Sequence, residues 1–377
     1  MRGTIRLGRL GKTNIDAHIA FVPVLVWAAW LGWVQYGGLG GALFGLIAIV
    51  LLFGCVLVHE LAHTLYAGTY GIVVDYIVLL PVGGLTSLDT SSLKPHDEAR
   101  IALVGPLANL ALSVALGISL AGIALSHQTD LGTVAILGLQ HPSALGVLAY
   151  LAAANLMLAM FNLLPAFPLD GGRALRALLS TRMPFDEATH RAAIAGRSFG
   201  AGLVAMGITL LLIGSVYYGT ALLIVGVTLY AGATHEDRVV QRHTALNSWT
   251  VEHVLHAAPF TAAPNQSLAS ALSSVARGHV VPVVMENDPL RIVGLLTTTE
   301  LKHLNGTLSG LKVAHVMRTH FPSVRASDPL WVAYQKLLRS RLVAIPVVSQ
   351  NIYSGLVTVS DIRWALKQGD PPSKATK

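Results

Sequence analysis

A chain of 377 residues that is 53% hydrophobic and only 12% charged is not an ordinary soluble globular protein, in which about a quarter of the residues carry charge. The apolar content excludes disorder, the 36 glycines lack the three-residue period of collagen, and a single cysteine cannot build an internal disulfide framework. The net charge of +7 leaves nucleic acid, anionic lipid and membrane topology open, and the placement of the basic residues decides among them.

In chain order, Arg2, Arg6, Arg9 and Lys12 lead into an apolar run at about 18–36. This run exceeds the roughly 7–15 residues of a signal-peptide core and no small-x-small cleavage site follows, so it is expected to stay as a first span. Further runs lie at about 41–68, 101–125, 144–164, 199–215 and 219–234, the last two joined as a hairpin by Tyr217-Tyr-Gly-Thr220. Each approaches the ~20 residues that cross a bilayer. Lys94 and Arg100 sit between the second and third runs, and Arg173, Arg176, Arg182, Arg191 and Arg197 between the fourth and fifth. The connectors at 37–40, 126–143 and 216–219 hold no Lys or Arg. Basic residues mark the cytoplasmic side, so six spans put both termini in the cytoplasm of a multi-pass plasma-membrane protein. Charge that follows connector alternation is not the single patch of a nucleic-acid surface, and no nucleic-acid partner is expected.

Between the second and third runs, residues 71–88 are rich in β-branched side chains and are interrupted by Pro81-Val-Gly-Gly84. That is strand and turn chemistry. Irregular backbone at membrane depth is tolerated only against protein or water, so a hairpin or small sheet beside a polar cavity is expected, with Asp75 and Asp89 solvated or in turns.

The composition changes near residue 240, in the polar junction Thr234-His-Glu-Asp-Arg-Val-Val-Gln-Arg-His243. A membrane domain over 1–240 and a soluble tail over 241–377 follow, and the tail repeats itself. Val251-Glu-His-Val254 resembles Val313-Ala-His-Val316, Val281-Pro-Val-Val284 resembles Ile345-Pro-Val-Val348, and Gly294–Leu301 resembles Gly355–Ile362. A unit of about 60 residues in two copies (249–305 and 311–368) is too short an array for a solenoid and predicts a pair of small α/β modules.

The chemistry concentrates in the second run, at His59-Glu60-Leu61-Ala62-His63. His59 and His63 are four apart, so they share one helical face and can grip one Zn²⁺, with Glu60 beside them to take a proton from water. With 15 His and 19 Asp plus Glu in the chain, chance supplies such a pattern only about 0.03 times. Ionisable residues inside a membrane helix cost several kcal/mol, and a metal compensates three of them at once. A catalytic zinc takes a third protein ligand. The best candidate is Asp170 in Asn162-Leu-Leu-Pro-Ala-Phe-Pro-Leu-Asp-Gly-Gly-Arg173, where two prolines break the helix; the alternative is that Asp170 only caps a following helix. Cys55, four residues before His59, reads as an inert buried thiol. Asn162 is a candidate donor to substrate or oxyanion, or else bridges helices. Asn109 reads as helix–helix packing.

The His-Glu-Leu-Ala-His helix, Pro-Val-Gly-Gly, Gly105-Pro-x-x-Asn109 and the Asn162–Arg173 motif, in that order, resemble the site-2 protease family of intramembrane zinc metalloproteases. The resemblance covers roughly 50 to 200. It implies zinc on His59, His63 and Asp170, Glu60 as general base, Asn162 helping to position substrate, and a transmembrane protein as substrate within the lipid bilayer. A helical substrate must unwind, and Val82, Gly83, Gly84 and Leu85 are expected to hold it by β-addition. The tail resembles a tandem cystathionine-β-synthase (CBS) pair, a module that often binds adenine nucleotides such as ATP or AMP and can dimerise. Its Thr-x-x-Asp signature is met by Thr358 and Asp361; the first repeat has Thr297 and Glu300, and the Asp-to-Glu departure sets that copy apart. The expected fold is thus a polytopic α-helical membrane protein with a small membrane-associated β segment and a cytoplasmic α/β tandem CBS domain. The alternative function is a CBS-regulated transporter or channel, which predicts matching broken helices in two halves; no such internal repeat is seen.

Overall fold

The computed structural model describes residues 3–81, 83–86, 93–257, 260–276, 280–297, 310–350 and 352–369. Val82, Asp89 and Glu300 lie outside the described residues, and Leu85 is described by its backbone alone. The chain divides into two compact units, Met1–Asp237 and Arg238–Lys377.

The first unit opens with β1 (Thr4–Leu10) and β2 (Thr13–His18), where the sequence suggested only a basic leader. Both runs alternate polar and apolar residues, and Leu10 pairs with Thr13 across a two-residue turn led by Gly11 at φ +58°. Glycine adopts that φ without steric cost, as tight hairpins require. The hairpin extends through a parallel pairing of β2 with β3 (Tyr76–Leu80), which pairs antiparallel with β4 (Gly83–Thr86). The sheet order is β1-β2-β3-β4, leaving β4 at one edge. Ile77, Val78 and Leu79 are all buried, so the central strand is covered on both faces.

Because β2 uses residues up to His18, α1 (Phe21–Tyr36) starts later than the expected span and has 16 residues, about 24 Å of helix. It pairs with α2 (Gly38–Gly68) through Gly37 and Gly38, both at positive φ. Gly32 and Gly41 let the two backbones meet where any side chain would collide. Then come α3 (Pro95–Ser126), α4 (Leu131–Gln140), α5 (Ala144–Asn162), α6 (Asp170–Leu179), α7 (Phe185–Leu212) and α8 (Val216–Asn247). Among the described residues, α2, α3, α5, α7 and α8 are long and apolar enough to cross a membrane. The short α4 falls in an expected connector, where Asp130 caps it by accepting from the Thr133 N–H at 2.8 Å. The hairpin between α7 and α8 turns at 213–215, with Gly214 at φ +84°; the expected turn Tyr217–Thr220 instead opens α8. Both helices run well beyond their apolar windows, because polar residues continue a helix whose hydrogen bonds are already nucleated.

In the second unit each repeat contributes a hairpin and a preceding helix: α9 (Leu268–Ala276), β5 (Val281–Met285) and β6 (Asp288–Leu296), then α10 (Leu330–Ser340), β7 (Ala344–Ser349), β8 (Ile352–Thr358) and α11 (Val359–Gln368). Ala262 brackets β5 by bonds to Pro282 and Val284 as Val324 brackets β7 through Pro346 and Val348. The repeats also exchange single β-bridges. The Leu356 N–H of β8 donates to His256 at 3.0 Å, and the Leu295 N–H of β6 donates to Arg318 at 3.0 Å. Each copy therefore completes the other's sheet edge.

Candidate metal centre

α2 carries His59 and His63 one turn apart, both buried. α6 begins at Asp170, and the preceding Leu169, not Asp170, occupies the N-cap position without a side-chain cap bond. The Asp170 carboxylate points across to α2 instead. Its Oδ2 lies 3.0 Å from His59 Nε2 and 3.2 Å from His63 Nε2, and the two Nε2 atoms are 3.1 Å apart. Among the described residues this is the one His/Cys/Asp/Glu group arranged to hold a metal ion; half-buried Cys55 is not in it.

The donor set fits zinc. A tetrahedral ion with ligands at about 2.0–2.1 Å keeps them roughly 3.3 Å apart, within a few tenths of an ångström of this triangle. The Ile101 carbonyl accepts from His63 Nδ1 at 2.7 Å, which assigns the ring proton to Nδ1 and leaves the Nε2 lone pair facing the triangle.

α3 approaches this centre along one face. Glu98, Ile101, Gly105 and Asn109 follow at helical spacing. A β-carbon at Gly105 would overlap the His63 ring and lie 2.8 Å from His59 Cε1, so only glycine lets α3 sit here. Glu98 ties α3 to α6. The Arg176 Nε–H donates to Glu98 Oε1 at 2.9 Å, Nη2 donates to the same oxygen, and both side chains are buried. The Arg176 guanidinium stands over the Phe167 ring at 5.1 Å and the Phe185 ring at 4.6 Å. One ion pair thus links the helix that supplies the Ile101 carbonyl to the helix that supplies Asp170.

Glu60, His59, His63 and Asp170 line a cavity of about 550 Å³ whose wall also holds Gly83, Gly84, Asn109, Asn162, Arg173 and Glu236. Asn162 closes α5. β4 crosses directly over Glu60, since a β-carbon at Gly84 would overlap that side chain. The expected strand segment therefore lies, through Gly83 and Gly84, beside a cavity that is largely apolar and carries the histidines and carboxylates on part of its wall. Glu98 and Glu236 were not singled out by the sequence, and Arg173 and Arg176 were read as connector charges rather than as part of the site; charged residues in polar stretches carry no local mark of burial, which arises only when distant segments meet.

In the tail, Thr358 caps α11. Its Oγ1 accepts from the Asp361 N–H at 3.2 Å, and the Asp361 carboxylate accepts from the Thr358 N–H and Oγ1–H at 2.7 Å each. His256 Nδ1 lies 3.5 Å from the same carboxylate oxygen. Thr297 is buried, with its partner Glu300 outside the described residues.

Residues 47–206 match the description of Peptidase family M50, and residues 251–304 and 313–368 match the CBS domain. The chain is 30% identical to zinc metalloprotease MJ0392 of Methanocaldococcus jannaschii over 82% of each chain. It is also 30% identical to Rip3 of Mycobacterium tuberculosis over 96% of this chain and 92% of that one. Among solved structures, the site-2 protease from Methanocaldococcus jannaschii is 30% identical, with a TM-score of 0.44 over 62% of this chain and 95% of that chain.

Proposed function

The chain belongs to peptidase family M50 as a zinc metalloprotease of the site-2 protease type, and on that premise we propose that it hydrolyses peptide bonds within or beside transmembrane segments of other membrane proteins. The observation that carries this reading is the convergence of His59, His63 and Asp170 inside an apolar helix bundle, with Glu60 on the wall of the same cavity. His59, His63 and Asp170 are the zinc ligands. When bound, zinc supplies Lewis acidity that brings a water's pKa toward neutrality and polarises a peptide carbonyl. Glu60 receives the proton of the attacking water on its carboxylate and returns it to the departing amine, so that one water and one peptide bond become a carboxylate and an amine. Asn162, at the end of α5, donates through its amide to the carbonyl oxygen as negative charge develops.

The substrate must leave its helical hydrogen bonds before this chemistry. As an edge strand, β4 can pair with an extended chain through its backbone, and Gly83 and Gly84 keep that edge clear beside Glu60. Val82 and Leu85 complete this proposed binding strip. The basic connectors support a plasma-membrane protein with N-terminus, Asp170 loop and tail in the cytoplasm. For the tail we infer an adenine nucleotide that modulates the protease, held in the second repeat by Thr358 and Asp361 and in the first by Thr297 and Glu300, with the CBS pair also the natural surface for a homodimer. The division into a protease domain over 1–240 and a regulatory domain over 241–377 belongs to the same reading.

The test is to purify the chain and its Glu60→Gln variant and incubate each with membrane-protein substrates in detergent or liposomes. Zinc-dependent cleavage by the parent and none by the variant is expected. Equal cleavage by both would remove Glu60 from the mechanism.

A further inference from the structure

Asn109 stands out among the polar residues of the bundle. It is fully buried, it lines the catalytic cavity, and neither its Oδ1 nor its Nδ2 has a hydrogen-bond partner among the described residues. Its neighbours show how a polar side chain is ordinarily satisfied there. Asn155 on α5 donates to the Leu151 carbonyl one turn back at 2.8 Å, leaving only its Oδ1 without a partner, and Ser113 on α3 donates across to the Ala152 carbonyl of α5 at 2.8 Å. Asn109 is packed among the helices but makes neither kind of bond, so packing alone leaves its amide without a hydrogen-bond partner among the described residues. A buried amide without partners costs stability, and in a native protein such a group calls for an explanation.

The cavity provides one. Asn109 lies one turn beyond Gly105, the residue at which α3 touches both histidines. A transmembrane segment that unwinds into the cavity carries peptide N–H and C=O groups that have lost their helical partners, with little water to replace them. A carboxamide presents an acceptor oxygen and two N–H donors, which match the N–H and C=O of one residue in an extended chain, since those two groups point to the same side. We propose, resting on the protease reading above, that Asn109 is a receptor for the substrate backbone: Nδ2 donates to a peptide carbonyl and Oδ1 accepts from a peptide N–H flanking the bond to be cut. This role differs from that of Asn162, which serves the reacting carbonyl. It also complements β4, which pairs the chain from the sheet side while Asn109 takes it from α3.

The experiment uses the zinc-loaded full chain carrying Glu60→Gln, in detergent micelles, titrated with a fluorescein-labelled synthetic Leu/Ala transmembrane peptide. In a companion series, each central peptide N–H is replaced in turn by an ester oxygen. One ester position is expected to weaken binding about tenfold, as is Asn109→Leu with the parent peptide. The Asn109→Leu protein is expected to be indifferent to that ester. It is also expected to melt at the same or a higher temperature, because the unpartnered amide is gone. A lower melting temperature with unchanged peptide affinity would make Asn109 a packing residue and overturn the proposal. So would undiminished sensitivity to every ester in Asn109→Leu, or no binding of the parent peptide. Cleavage of the same peptide by the chain with Glu60 intact reports on the protease reading separately: cleavage that persists unaltered in Asn109→Leu rejects this assignment alone.

Discussion

Arg176→Met removes the cation that joins α3 to α6 while keeping much of the side chain's apolar volume. Both partners are buried, at 6% and 3% side-chain exposure, so Glu98 would keep its charge in a low-dielectric setting without this partner. Breaking a buried pair from one side costs about 3–5 kcal/mol, and loss of the stacking on Phe167 and Phe185 contributes part of that. The consequence reaches the metal through two links. Glu98 lies three residues before Ile101, whose carbonyl orients His63, and Arg176 lies on the short helix that begins with Asp170. Disturbing such supporting contacts typically lowers metal affinity about 10–100-fold. Two measurements on purified protein are needed: the melting temperature of the metal-free chain and the zinc dissociation constant by chelator competition. The double variant Glu98→Leu/Arg176→Met separates the effects. Two apolar residues should recover much of the lost stability, yet zinc affinity should stay low if the pair aligns the ligands. Unchanged zinc affinity in Arg176→Met, whatever the melting temperature, would refute the positioning argument.

Two further outcomes follow from the geometry. Gly105→Ala should strip zinc from the purified protein, because its methyl overlaps the His63 ring, whereas Gly117→Ala, with open space at its β position, should retain full zinc by elemental analysis. In the tail, burial pushes the Tyr353 phenol up to about 12, above the roughly 10 of an unfolded tyrosine. The folded value is the higher one, so this stabilisation is present below about pH 10 and is lost as pH rises through 12; Tyr353→Phe should flatten that decline in thermal melts of the full chain, and should not lower the melting point at pH 7, since the phenol oxygen has no hydrogen-bond partner among the described residues.

The residues that carry the proposed chemistry differ in how far they could be read from the chain. His59, Glu60 and His63 belong to one turn of one helix, and helical geometry is local, so their spacing alone places both imidazoles on one face. The apolar windows and the alternation of basic connectors are likewise properties of short stretches. The internal repeat of the tail is visible because two copies of one pattern fold alike. Asp170 was legible by a different route: zinc chemistry requires another ligand, and a proline-broken segment was available to bring one. Whether its carboxylate caps α6 or reaches α2 rests on where α6 docks, and that is decided 107 residues away from His63.

The N-terminal hairpin was missed because its polar and basic residues resemble a topological leader, and its strands are completed only by β3, some 60 residues later. Asn109, Glu98 and Arg176 sit in stretches of sequence that look the same whether their side chains are partnered, solvated or buried. Local sequence determined the five long apolar helices, the paired histidines and the duplicated tail, since backbone propensity, hydrophobic length and helical period act within a few residues. Only the tertiary structure decided which carbonyl holds His63, which carboxylate meets the two histidines and which buried amide beside the cavity is left without a hydrogen-bond partner among the described residues. Burial and hydrogen-bond satisfaction are properties of the space between segments, and no single segment contains them.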